Sequence, residues 1–96
     1  LVLETETRRV TLNDSEVDLT TAEFELLRLL MESHGRVLTR DALLRSLRGL
    51  DSEAFDRSID MLVSRLRKKL GDDSRAPRLV KTIRGAGYQF VGQQDE

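Results

Sequence analysis

Between Arg57 and Leu70 the chain carries Arg57, Arg65, Arg67, Lys68 and Lys69 against a single acid, Asp60. At 100° per residue, Phe55, Ile59, Leu62, Val63, Leu66 and Leu70 collect on one side of a helix. Arg57, Met61, Ser64 and Lys68 then fall on the opposite side, with Arg65 and Arg67 on its flanks. An exposed helical face usually mixes Glu with Lys to gain i,i+4 pairs. A cationic face without such acids is costly unless an anion meets it. The planar fork of Arg suits phosphate and the guanine edge. Lys81 and Arg84 form a second basic point around the step Arg84-Gly85-Ala86-Gly87. A ribbon with Arg at its tip fits a narrow minor groove, where Arg is electrostatically favoured. Each feature also has a plainer reading: a solvated charged face, and a tight turn whose glycines supply positive φ. The glycine step is too short for a dinucleotide fingerprint, and it lies between strands rather than before a helix.

Little else in the chain offers chemistry. The 96 residues include no Cys and one His, His34. Disulfides, thiolate zinc sites, Cys nucleophiles and two-His metal clusters are thereby excluded. His34 is the sole candidate imidazole base. It precedes Gly35 at a helix end, where capping or a charge–dipole contact explains it better. Glu23 and Glu25 point to different helix faces and read as a cap and a solvated residue. No catalytic residue, metal or cofactor is expected. A net charge of −1 argues against a polyanionic partner only as an average. Residues 1–56 hold seven basic and twelve acidic residues, a balance of −5; residues 57–96 hold nine and five, a balance of +4. One half of a small molecule is basic, which is the footprint of polyanion binding.

The elements that must position these groups are legible. Length predicts one domain over residues 1–96. Apolar runs are no longer than Leu29-Leu30-Met31, too short for a bilayer. The chain starts at Leu1, and it reads as an excised C-terminal domain. Alternation at Leu1, Leu3, Val10, Leu12, Val17 and Leu19 predicts two or three antiparallel strands over 1–19. Three helices over 20–70 follow. Thr20 and Glu23 form a capping box for the first, which ends at His34-Gly35. Val37-Leu38 is an extended link. Thr39 caps a second helix bearing Leu43, Leu44 and Leu47, closed by Gly49. A third helix runs from about Phe55 to Leu70. Leu79 to Ile83 and Tyr88 to Val91 then form a hairpin within 78–92. The fold class is α+β: a winged helix-turn-helix with a short N-terminal antiparallel sheet and a C-terminal β-hairpin wing.

Several blocks together are specific. Leu19-Thr20-Thr21-Ala22-Glu23-Phe24-Glu25-Leu26-Leu27 and Thr39-Arg40-Asp41-Ala42-Leu43-Leu44 come first. Asp56-Arg57-Ser58-Ile59-Asp60, Ser64-Arg65-Leu66-Arg67-Lys68-Lys69-Leu70 and Lys81-Thr82-Ile83-Arg84-Gly85-Ala86-Gly87-Tyr88 complete the set. In this order and spacing the chain resembles the DNA-binding domain of OmpR/PhoB-type response regulators, the winged effectors of bacterial two-component systems. Leu47-Arg48-Gly49 and the segment Phe55 to Asp60 resemble the RstA and CpxR branch, although many members have Trp where Arg48 stands. The family's N-terminal sheet has four strands, and this chain is expected to start after the first.

The resemblance implies a sequence-specific, double-stranded DNA-binding domain of a cytoplasmic transcription regulator. It places the third helix in the major groove, with Arg65 reading a base. Arg57, Ser58 and Arg67 match positions that touch phosphates or groove edges, and Met61 can meet a thymine methyl. Leu62 and Ser64 stand where some relatives carry His or Arg. Lys68 belongs to the same face. Arg84 would enter the minor groove, with Thr82 and Tyr88 contacting the backbone beside it. Arg40 and Arg48 would grip phosphate at the two ends of the second helix. Residues Leu50, Asp51, Ser52, Glu53 and Ala54 match the segment that engages RNA polymerase, or else form a plain connector. Head-to-tail dimers on direct repeats and an N-terminal receiver domain complete the implied partners. The rival reading is a protein-interaction module whose basic face meets an acidic partner.

Overall fold

The computed structural model describes residues 1–47 and 58–92. Three strands come first: β1 (Val2–Glu4), β2 (Arg9–Leu12) and β3 (Ser15–Val17), antiparallel in that order. The β2–β3 turn is Asn13-Asp14, with φ of 52° and 65°. Asn and Asp tolerate the left-handed region that a tight hairpin needs at both central positions. Leu3, Val10 and Val17 lie side by side across the strands and pack toward the core.

Helix α1 (Thr21–Glu32) starts where the capping box places it. Thr20 Oγ1 accepts from the Glu23 amide at 3.2 Å, and Glu23 Oε1 accepts from the Thr20 amide at 2.9 Å. Its inner side buries Ala22, Phe24, Leu26, Leu27 and Leu30. Arg28 on the outer side bonds Glu25 and Glu32. Glu25 also bonds Arg8, so it is a half-buried ion-pair residue rather than the solvated one expected.

The link at Val37-Leu38 proves to be a strand, β4 (Val37–Thr39). It pairs with β6 (Gly87–Phe90), which also pairs with β5 (Val80–Ile83), giving the order β4-β6-β5. Three residues with one apolar side chain at the interface carry little period-two signal, so this pairing is invisible locally. It matters because Thr39 sits opposite Gly87. Helix α2 (Arg40–Leu47) therefore begins against the base of the wing, with Thr39 Oγ1 accepting from the Ala42 amide. A Cβ at Gly87 would lie 2.1 Å from the Leu38 carbonyl oxygen, so only glycine permits this approach.

Helix α3 spans Ile59–Leu70. Ser58 has extended backbone and its side chain accepts from the Met61 amide at 3.2 Å, which fixes the first turn. The helix starts at Ile59, directly after the extended Ser58. Gly71, at φ 71°, closes it in the left-handed conformation. Ile59, Leu62, Val63, Leu66 and Leu70 are buried against α1, α2 and the wing, around the same core as Leu43, Leu47, Val80 and Phe90. The sequence readings at Gly49 and Phe55 lie outside the described residues.

Candidate nucleic-acid interface

The outer side of α3 is polar and basic. Met61, Ser64, Arg65, Lys68 and Lys69 are exposed, while Leu62 and Arg67 are buried. Met61 is 51% exposed, a thioether standing in solvent beside cations. At the wing, Ala86 donates its amide to the Ile83 carbonyl at 2.9 Å, closing the turn and leaving Arg84 at the exposed tip. Among the described residues Lys68, Lys81 and Arg84 make no ion pair.

Two polar clusters hold this surface in shape. In the first, Arg67 Nε and Nη2 donate to the Val80 carbonyl at 3.1 and 2.8 Å, and Nη2 also donates to Thr82 Oγ1 at 2.7 Å. The helix is thereby pinned to β5. In the second, Asp60 Oδ1 accepts from Arg40 Nε at 2.8 Å and from the Tyr88 hydroxyl. The Arg40 and Arg67 guanidiniums lie 5.3 and 5.7 Å from the Tyr88 ring centroid. Tyr88 therefore ties the start of α2, the start of α3 and the wing together. The Tyr88 hydroxyl and Arg40 hold the Asp60 carboxyl below its ordinary pKa. Burial, then the Asp60 carboxylate, push the Tyr88 phenol up, so it stays a donor at neutral pH.

A third contact balances the C-terminal end of α3. Lys69 Nζ donates to the buried Glu23 at 2.6 Å. Burial alone would raise the Glu23 pKa; bonds from Lys69 and Thr20 outweigh it, and the carboxyl ends below its ordinary value.

Four sequence expectations change here. Leu62 is 1% exposed and belongs to the core, so it cannot meet a base. Arg67 is 9% exposed with its guanidinium bonded inside the fold, so it is a clamp rather than a groove contact. Tyr88 is buried and spends its hydroxyl on Asp60. His34 does not cap α1: its ring bonds the Gly92 carbonyl at 2.8 Å and meets Phe90 edge-on. Since a carbonyl only accepts, Nε2 carries the proton. The expected roles of Arg48, Arg57 and Leu50 to Ala54 lie outside the described residues.

Asp60 is the residue that sequence reading passed over. Its signal was present: one acid standing inside an otherwise basic helix, close to its start. Among the described residues no group of three His, Asp or Glu is arranged to hold a metal ion. No helix there is long and apolar enough to cross a membrane.

Comparison with known proteins agrees with this architecture. Residues 14–90 match the family described as the C-terminal part of transcriptional regulatory proteins. The chain is 47% identical over 91 residues to the transcriptional regulatory protein RstA of Escherichia coli K12, covering 95% of this chain and 38% of that protein. It is 47% identical over 88 residues to the regulatory protein VirG of Agrobacterium fabrum, covering 92% and 35%. The chain thus spans little more than a third of these relatives. The Klebsiella pneumoniae RstA DNA-binding domain, solved in complex with the RstA box, superposes with a TM-score of 0.82 at 43% identity, covering 93% of this chain and 88% of that one. The CpxR DNA-binding domain of E. coli gives 0.75 at 36% identity, covering 94% and 88%. The chain belongs to the C-terminal family of transcriptional regulatory proteins, as a winged-helix DNA-binding effector domain of the OmpR/PhoB response-regulator type, RstA-like in sequence.

Proposed function

We propose that the exposed side of α3 enters the major groove of duplex DNA while Arg84 reaches into the adjoining minor groove. The observation that carries this is one surface. Met61, Ser64, Arg65 and Lys68 face solvent on α3, and Arg67 fixes the wing bearing Arg84 to the same helix. Two solved relatives, RstA with the RstA box and AdeR with an intercistronic region, support the reading. In it Arg65 reads a base edge and Met61 offers an apolar contact to a thymine methyl. Arg40, Arg48, Arg57 and Lys68 hold phosphates, and so position the helix without reading sequence. In the full-length protein this domain would follow a receiver domain whose phosphorylation favours head-to-tail pairs on direct repeats, in the cytoplasm.

Arg65→Ala separates reading from positioning. The preferred site loses about 1–3 kcal/mol and discrimination relaxes at one base pair, whereas random duplex loses only one charge contact. Gel-shift titrations on a selected site and on random DNA measure both. Equal losses on the two would make Arg65 a positioning residue. Capture of an acidic protein with no affinity for any duplex would replace the DNA reading altogether.

The segment Leu50 to Ala54 carries Asp51 and Glu53 next to a basic helix. Carboxylates there repel phosphate, so a basic protein surface is the better partner, and RNA polymerase is the one proposed. Asp51→Ala combined with Glu53→Ala leaves DNA affinity unchanged or slightly tighter while activated transcription falls. In-vitro transcription at matched promoter occupancy tests it; undiminished transcripts would make the segment a connector.

A further inference from the structure

We propose that Asp60 is a positioning residue that restrains Arg40 and so limits binding to DNA of arbitrary sequence. This rests on the DNA reading above and goes beyond it. Asp60 is the only acid on α3, and it stands on the helix that carries Arg65 and Lys68. Its side chain is 60% exposed and that of Arg40 43%, so solvent screens their pair. An exposed pair of this kind contributes little to folding. Its consequence is where it puts charge. The carboxylate repels any phosphate that approaches the start of α3. It also holds the Arg40 guanidinium against the Tyr88 ring, at 2.8 Å from Oδ1. Tyr88 donates to the same oxygen, so the carboxylate is anchored to β6 and cannot swing away with Arg40.

An Arg held this way meets a phosphate only where the duplex presents one at that place. On a fitted site the helix docks in one register and the phosphate arrives there. On random DNA the protein samples many registers, and an unrestrained Arg would find a phosphate in most of them. The restraint therefore costs affinity on random duplex more than on the preferred site. It raises the specificity ratio without touching a base.

Asp60→Asn keeps the shape of the side chain and removes its charge. Random-duplex affinity rises about three- to tenfold, the preferred site gains less, and the log K against log salt slope on random DNA steepens by about one phosphate contact. In an Arg40→Ala background the same substitution relieves only the direct repulsion, so the gain is smaller and lacks the added phosphate contact. A residue that merely supported the fold would lower the melting temperature and weaken both duplexes, with no change of slope. Thermal melts and salt-dependent titrations of the four proteins, wild type, the two single variants and the double variant, decide the matter. A random-duplex gain that persists unchanged in the Arg40→Ala background overturns the proposal, as does the absence of any gain, while wild-type binding and its salt slope leave the DNA reading standing. Failure of the wild type itself to bind duplex DNA overturns both.

Discussion

Arg67→Ala lowers the free energy of unfolding by about 2–4 kcal/mol and weakens preferred and random DNA by the same factor. The reason lies in β5. The Val91 amide bonds the Leu79 carbonyl, so in an antiparallel ladder both backbone groups of Val80 turn away from β6. Val80 is fully buried, and its groups are met by side chains instead. Its amide donates to Asp72 Oδ2 at 2.9 Å, and its carbonyl accepts twice from Arg67. Removing Arg67 strands that carbonyl in the core, which costs more than the bond itself contributed. Arg67→Lys is the sharper variant. Lys keeps the charge that a phosphate contact needs but cannot bridge Val80 and Thr82 with a planar fork. Denaturant unfolding of Arg67→Lys is therefore expected to show most of the alanine loss. Full stability in the Lys variant, with affinity falling only on the preferred site, would return Arg67 to the groove.

Arg67 also shows where sequence reading stops. A helical wheel separates apolar from polar residues by type, so it assigned every Arg on α3 to solvent. It has no way to know that a neighbouring strand presents a carbonyl lacking a donor. Leu62 failed for the opposite reason. Spacing placed it correctly in the apolar stripe, and a family position then drew it toward the DNA. The caps at Thr20 and Thr39 and the wing turn were legible because each is fixed by residues within a few positions, whereas the cap at Ser58 was missed because the apolar spacing ran on to Phe55. The β4–β6 pairing joins residues about fifty apart in the chain and leaves no local mark beyond the glycine at Gly87. Asp60 combines both difficulties: its partners Arg40 and Tyr88 lie 20 and 28 residues away. The cationic side of α3 was readable from composition alone, whereas which of its cations remain outward needed the fold.

That distinction sets the expected response to salt. With Arg67 withdrawn, six cations remain in the proposed phosphate and groove set: Arg40, Arg48, Arg57, Arg65, Lys68 and Arg84. Each released counterion contributes about 0.9 to the slope, so log K falls against log salt with a slope of roughly −5 per bound domain. Raising monovalent salt from about 50 to 200 mM then weakens binding roughly a thousandfold. A chain whose net charge is −1 would show no such steepness if its charges acted as an average. Lys68→Ala flattens the slope by about one contact and weakens all sequences alike. Lys69→Ala leaves it unchanged, because Lys69 is committed to Glu23 at 2.6 Å on the α1 side of the helix. Fluorescence-anisotropy titrations of a labelled duplex over that range measure each slope. A slope near zero would remove the DNA reading, and a loss of slope in Lys69→Ala equal to that in Lys68→Ala would place the docking surface one helical position further toward α1.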